Sequence, residues 1–207
     1  GHSEKYHFCH FKLPKQKEST PRALSRENFE KLRDLEIPEK RRSHIITKDL
    51  FLFACYTGTA YADAVSITRE NLFTDDGGSL WLKYRRKKTD YLGRVKLLPE
   101  AVALIEKYRD DTRETLFPPQ DYHTLRGNMK ALRLMAGLSQ DLVYHMGRHS
   151  FASLVTFEEG VPIETISKML GHSNVRTTQI YARVSPKRLF EDMDRFIEAT
   201  RDLKLIL

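Results

Sequence analysis

Residues 43 to 57, SHIITKDLFLFACYT, constrain the fold most. The segment is apolar-rich and too long for a strand, so it reads as a buried helix. Ahead of it, LSRENFEKLRDLEI starts another, with Ser25 as N-cap and Phe29, Leu32 and Leu35 at helical spacing. A further short helix is expected between Asp63 and Leu72. Then the period changes. SLWLKYRR and GRVKLLP alternate apolar and polar residues on either side of KKTDYLG, a β-hairpin pattern fed by a turn at Asp76, Gly77 and Gly78. Pro99 ends the sheet. EAVALIEKYRD and YHTLRGNMKALRLMAGL return to helix, the second with Gly137 near its end. After Leu142 the expected helices span about 144–159 closed by Gly160, 162–170 closed by Gly171, and roughly 174–184. A last one in the tail aligns Leu189, Met193, Phe196, Ile197 and Leu203 on one stripe. The expected fold is mainly α with a small antiparallel β-sheet (α+β).

The net charge of the 207 residues is +7, which favours a polyanionic partner, nucleic acid above all. Hydrophobic residues make up 40% of the chain, enough for a core. Cys9 and Cys55 cannot form a disulfide framework, and Cys55 lies in the apolar run, so a reducing cytosol fits. No run of 18 apolar residues suggests a membrane span. The opening GHSEKYHF lacks an apolar signal core and an initiator methionine, and Gly1 to Ser3 reads as a candidate cleavage scar. Residues 1–22, polar, basic and interrupted by Pro14 and Pro21, read as a linker or arm.

The chemistry concentrates in HMGRH and LGHSNVRTTQIYARV. His145 and His149 are four apart, a zinc-ligand spacing that His172 would complete. Against that reading, Met146 stands where a metalloprotease has glutamate, and Arg148 between the histidines repels a dication. The competing reading is a pair of satisfied core histidines. A phosphate explains the set together. Arg148 offers a planar fork of donors, His145 and His172 donate or relay protons, and Tyr181 carries a hydroxyl that attacks phosphorus once deprotonated. A free tyrosine has a pKa near 10, so it needs a cationic surround, which this chain supplies. The resulting phosphotyrosine keeps the bond energy, so no cofactor or metal is called for.

This pattern of His-x-x-Arg-His, then Leu-Gly-His, then tyrosine resembles the tyrosine recombinases, also called the phage-integrase family, from about Leu24 to Val184. The resemblance implies the family's C-terminal catalytic domain, with Tyr181 as nucleophile, Arg148 as second catalytic arginine, His145 as proton relay and His172 as phosphate donor. It also implies a lysine on a hairpin that protonates the leaving 5′-oxygen, and RRKKT aligns Lys88 with that residue. Lys83, Arg85 and Lys87, with His149 and Arg176, are candidate DNA contacts.

One position departs from the family. Its first arginine follows Thr-Gly-Leu, whereas here the stretch is TGTAYADAVSIT and Ala60 stands at that place. The same TG-x-A-Y-x-D pattern resembles the integrases of Bacteroides-type mobile elements. If residues 86–88 are extended, Arg86 shares a face with Lys88, and Arg86 is the candidate replacement for the missing guanidinium. Arg85 and Lys87 then face the other side. The competing reading is a phosphate-tracking basic patch.

The expected function is site-specific recombination of a mobile element or invertible switch through a 3′-phosphotyrosine. The expected partners are double-stranded DNA and other protomers in a tetramer, with no membrane and no small-molecule substrate, in a bacterial cytoplasm at the nucleoid. The domain reading places the catalytic domain at 23–185 and an exchangeable C-terminal helix at 186–207. By the resemblance, a whole family member also carries an N-terminal helical domain outside this sequence. Two other functions are weighed: a degenerate architectural or regulatory DNA-binding protein, favoured by Ala60, and a type IB topoisomerase.

Overall fold

The structure, a computed structural model, describes residues 22–181 and 186–201. Helix α1 (Arg26–Arg33) starts where Ser25 Oγ accepts from the Asn28 N–H at 3.2 Å. That bond satisfies one of the donors a helix start leaves unpaired. A single 3₁₀ turn (Glu39–Arg41) leads into α2 (Arg42–Thr57), and Leu50, Phe51, Phe53, Ala54 and Cys55 of α2 are fully buried. The apolar run therefore forms the central helix it was expected to form. It stops at Gly58, whose φ of 71° is left-handed, and a Cβ there would meet Leu170 Cδ2 at 2.5 Å. Glycine is required at that position by conformation and by space.

The next segment differs from expectation. In place of one helix over 63–72 there is α3 (Tyr61–Ala64), a 3₁₀ turn (Arg69–Asn71) and a short strand β1 (Leu72–Thr74). The turn is set by a reciprocal cap between Thr68 and Asn71. Phe73 stacks on Trp81 of the neighbouring strand, ring centroids 6.1 Å apart. Asp75 accepts from the N–H groups of Gly77 and Ser79 and from the Trp81 indole, which closes the connection. Strands β2 (Leu80–Arg85) and β3 (Leu92–Lys96) complete an antiparallel sheet in the order β1-β2-β3. Leu82, Tyr84 and Val95 point inward, and Lys83, Arg85, Arg94 and Lys96 point out.

Residues 86–88 are not extended. The carbonyl of Arg86 accepts from the N–H groups of Thr89 (3.3 Å) and Asp90 (2.8 Å), so the hairpin turns immediately after β2. Asp90 takes a φ of 56° to make that turn. Arg86 therefore does not share a strand face with Lys88, contrary to the expectation from alternation, because this segment is a turn.

Helix α4 (Pro99–Lys107) begins with proline at its first position, and α5 (Tyr122–Met135) is capped by Asp121. Asp49 of α2, buried, accepts from Lys107 Nζ and the Tyr108 hydroxyl and ties α4 to the central helix. Helix α6 (His145–Ser150) widens into a π-helical stretch (Phe151–Phe157), where the Thr156 hydroxyl bonds the carbonyls of Phe151 and Ala152. The long helix expected over 144–159 thus changes pitch midway. Helix α7 (Ile163–Met169) and the one-turn α8 (Arg176–Gln179) follow. Helix α9 (Pro186–Thr200) ends the described chain. Cys9, Leu203 and almost all of the expected arm lie outside the described residues, as do residues 182–184 of the expected 174–184 helix.

Gly147 sets the distance between α2 and α6. A Cβ there would lie 2.9 Å from the Ala54 Cβ and 3.1 Å from the Phe51 carbonyl, and backbone cannot step aside. Gly147→Ala gains about 1 kcal/mol of helix propensity and, with backbone in the way, loses about 2–3 kcal/mol to overpacking, the upper part of the usual range. The expected result is a melting temperature lower by roughly 2–8 °C, read by thermal unfolding. An unchanged or higher value would show that the two helices separate freely.

Candidate active site

Five segments converge: the end of α2, helix α6, the hairpin turn after β2, the turn after α7, and α8. Arg148 is the centre, 1% exposed. Its Nη1 donates to the Gly58 carbonyl at 2.6 Å, and its Nη2 donates to the Leu170 carbonyl at 2.7 Å. Two helix ends thereby fix the plane of the guanidinium fork. Burial lowers the Arg148 pKa from its ordinary value, yet a guanidinium keeps its charge in a protein.

Nη2 of Arg148 also lies 2.9 Å from His172 Nε2, and His172 Nδ1 lies 2.8 Å from Thr178 Oγ1. The guanidinium can only donate, so Nε2 accepts and the ring proton sits on Nδ1. Burial, then Arg148 and Arg86, push the His172 pKa down to about 4, so the ring is neutral near pH 7.

Tyr181 is 6% exposed and packs with Val95, Phe151, Ala152, Ile166 and Leu170. Its hydroxyl lies 2.8 Å from His149 Nδ1. Burial raises the phenol pKa, and Arg148 and Arg86 pull it back without overcoming that burial. The cationic surround read from the sequence is present, but in the DNA-free chain burial outweighs it. His149 is pushed down to about 4 by burial, then by His145 and Arg148. His145 stands edge-on to His149, ring centroids 4.4 Å apart, at the exposed mouth of the site. Burial lowers its pKa too, followed by Arg148, Arg86 and Lys88.

Arg86 reaches this centre from the hairpin turn. Its side chain, 10% exposed, would crowd a Cβ on Gly171, with Cδ at 3.1 Å. Its Nε, buried, has no hydrogen-bond partner among the described residues, while the Asp63 carboxylate lies 3.7 Å away. Asp63, 3% exposed, also accepts from the Lys87 N–H at 2.9 Å and so anchors the turn. Ala60 is the N-cap of α3, two residues beyond the Gly58 carbonyl that holds Arg148. The TG-x-A-Y-x-D stretch thus supplies the carbonyl for one arginine and the carboxylate for another. The sequence reading singled out that motif without assigning a role to Asp63.

The remaining candidates stand around this cluster. Lys88 is exposed on the turn, near enough to be felt by His145. Lys83 is exposed on β2, and Arg85 pairs with Asp90 at 3.3 Å. Lys87 is exposed, and Arg176 is exposed at the start of α8. Lys83 lies opposite Arg94 on β3, so Arg94 and Lys96 extend the same outward basic face. Sequence reading missed both, although the alternation in GRVKLLP carried the signal. His149, read there as a candidate DNA contact, is bonded to Tyr181. No group of His, Cys, Asp and Glu among the described residues is arranged to hold a metal. Both ring nitrogens of His172 are already engaged.

The model of the phage integrase family matches residues 22–188. Tyrosine recombinase XerA of Thermococcus kodakarensis is 28% identical over 185 residues, covering 86% of this chain and 64% of that protein. Tyrosine recombinase XerD of Listeria monocytogenes is 27% identical over 202 residues, covering 88% and 65%. The chain therefore spans just under two thirds of the length of these relatives. In fold it resembles the crystal structure of XerA recombinase (TM-score 0.64, 23% identity, 86% of this chain and 66% of that one). It also resembles XerH site-specific recombinase bound to its difH substrate (TM-score 0.63, 20% identity, 90% and 56%). Both share the helix-rich architecture with its small antiparallel sheet expected from the sequence, and with the family model covering most of its length, the chain belongs to the phage integrase family.

Proposed function

We propose that this chain is the catalytic domain, residues 23–185, of a site-specific recombinase acting on double-stranded DNA through a 3′-phosphotyrosine. One observation carries the reading: the Tyr181 hydroxyl rests on His149 at the edge of a basin formed by Arg148, Arg86 and His172. The Tyr181 oxygen attacks the scissile phosphorus, and the 5′-oxygen leaves with a proton from Lys88. Arg148 holds the nonbridging oxygens, and its two carbonyl tethers mean that little reorganisation is needed as charge develops. His172 donates to the phosphate once its tautomer reverses. Thr178 Oγ1, an acceptor in the free chain, then donates to Nδ1 and leaves a proton on Nε2. His145, at the mouth, relays protons.

The outward bases Lys83, Arg85, Arg94 and Lys96, with Lys87 and Arg176, track the DNA backbone. Each contact contributes about one unit to the salt slope of binding. Leu189, Phe190, Met193, Phe196 and Ile197 of α9 are exposed, which supports exchange of this helix between protomers of a tetramer on DNA. Among the described residues no helix is long and apolar enough to cross a membrane. The place of action in this reading is the bacterial nucleoid, on a mobile element or invertible switch.

The test uses nicked duplexes tiled across the DNA flanking the coding region. The nick lets the 5′-hydroxyl fragment diffuse away, so cleavage leaves a denaturant-resistant adduct. The expected result is an adduct at a 3′-phosphate on one or a few tiles, formed equally in EDTA. Tight binding with no adduct on any tile would move the chain to the degenerate DNA-binding reading. Plasmid relaxation without exchange between two sites would move it to the topoisomerase reading.

A further inference from the structure

We infer that His149 is the base that takes the proton of Tyr181, a role distinct from that of His145. The inference rests on the proposed recombinase reading and refines its first step. The two rings lie on one face of α6, four residues apart, yet only His149 reaches the nucleophile, with Nδ1 2.8 Å from the hydroxyl. His145 stands behind it, edge-on at 4.4 Å, and opens to the exposed mouth.

The need for a base in direct contact follows from the surroundings of Tyr181. The side chain is 6% exposed in an apolar cluster, and a free phenolate there is disfavoured. Proton removal must therefore accompany attack. In the balanced step, the Tyr181 O–H proton passes to His149 Nδ1 as the oxygen–phosphorus bond forms. The bond to the 5′-oxygen breaks, and that oxygen takes a proton from the Lys88 ammonium. The ring, which already carries a proton on Nε2, becomes an imidazolium. On religation the same proton returns to the tyrosine.

In the free chain His149 is a weak base, pushed down to about 4 by burial, His145 and Arg148. A bound phosphate brings negative charge against Arg148 and favours the imidazolium. The base is thereby strengthened when substrate is present, and Tyr181 stays protonated otherwise.

Two measurements test this. Histidine-labelled nitrogen NMR of the DNA-free chain reads the tautomer without requiring activity. His149 is expected with its proton on Nε2 and a bare Nδ1 whose shift moves in Tyr181→Phe. A proton on Nδ1 would overturn the inference whatever the chain does to DNA. In the second, His149→Ala is assayed on the trapping duplex at saturating protein. Adduct formation is expected to fall by about a hundredfold, the low end for a general base, and to recover in part with added imidazole. Loss without imidazole recovery, in a variant whose melting and DNA binding match the parent, would leave His149 with packing alone. A parent chain that forms no adduct would sink the recombinase reading, and the tautomer would still decide whether His149 can accept the proton.

Discussion

Tyr181→Phe will bind DNA as the parent does and form no covalent adduct with it. The substitution removes one oxygen from a side chain that is otherwise packed against Val95, Phe151, Ala152, Ile166 and Leu170, and the ring that makes those contacts is kept. The loss to folding is that of one hydrogen bond, about 0.5–1.5 kcal/mol. The loss to chemistry is complete, because among the described residues no other hydroxyl is bonded to the His149 ring. The measurement is the trapping duplex run beside a filter-binding titration. Any residual adduct, mapped by peptide sequencing to another residue, would mean that the nucleophile lies elsewhere. The same gel separates two meanings of the raised phenol pKa. If burial kept Tyr181 in a purely resting position, parent protein would form adduct only after a lag that persists at saturating DNA. If the bound phosphate completes the site, adduct appears without a lag at saturating DNA.

The sequence made the central helix, the Ser25 cap and the inward and outward faces of β2 and β3 legible, because each rests on local periodicity or local capping. It missed β1, since the three residues Leu72–Thr74 are too few to show a period. That strand exists through the Phe73–Trp81 stack and the Asp75 side chain, which are tertiary and turn contacts. The motif spacing singled out Arg148, His172 and Tyr181, which the structure brings together, and the geometry adds for His149 a bond to Tyr181. Its contact with Tyr181 spans two elements, and its tautomer depends on a partner that spacing does not reveal. The case of Arg86 is different. The strand-face premise failed, yet the side chain still arrives, because the turn that breaks the strand is fastened by Asp63 at the Lys87 N–H.

Arg86→Ala will lose cleavage at saturating protein, by roughly a hundred- to a thousandfold or about 2.7–4 kcal/mol of barrier, whereas Arg85→Ala will be restored by adding protein. Arg86 is 10% exposed, its Nε lies 3.7 Å from the Asp63 carboxylate, and among the described residues that Nε has no hydrogen-bond partner. Its charge is felt by Arg148, His145, His172 and Tyr181. Arg85 points out of the sheet and meets only Asp90 among the ion pairs of the described residues, the posture of a backbone contact. Losing it should lower the salt slope of binding by about one unit and leave the rate of the bound complex alone. Removing Arg86 also strips the buried Asp63 of its cation, which by itself destabilises by up to about 3–5 kcal/mol. Melting is therefore measured alongside, and Arg86→Ala with Asp63→Asn removes both charges together while an amide oxygen still accepts from Lys87. If that neutral pair folds like the parent and still cleaves at the parental rate, Arg86 is a structural ion pair and nothing more. Ala60→Arg with Arg86→Ala asks the question from the opposite side. Ala60 starts α3 two residues beyond the carbonyl that holds Arg148, so an arginine there approaches the same phosphate from the helix. Partial recovery of cleavage means that the two positions serve one anion, and no recovery in a folded double variant means that only the hairpin route reaches it.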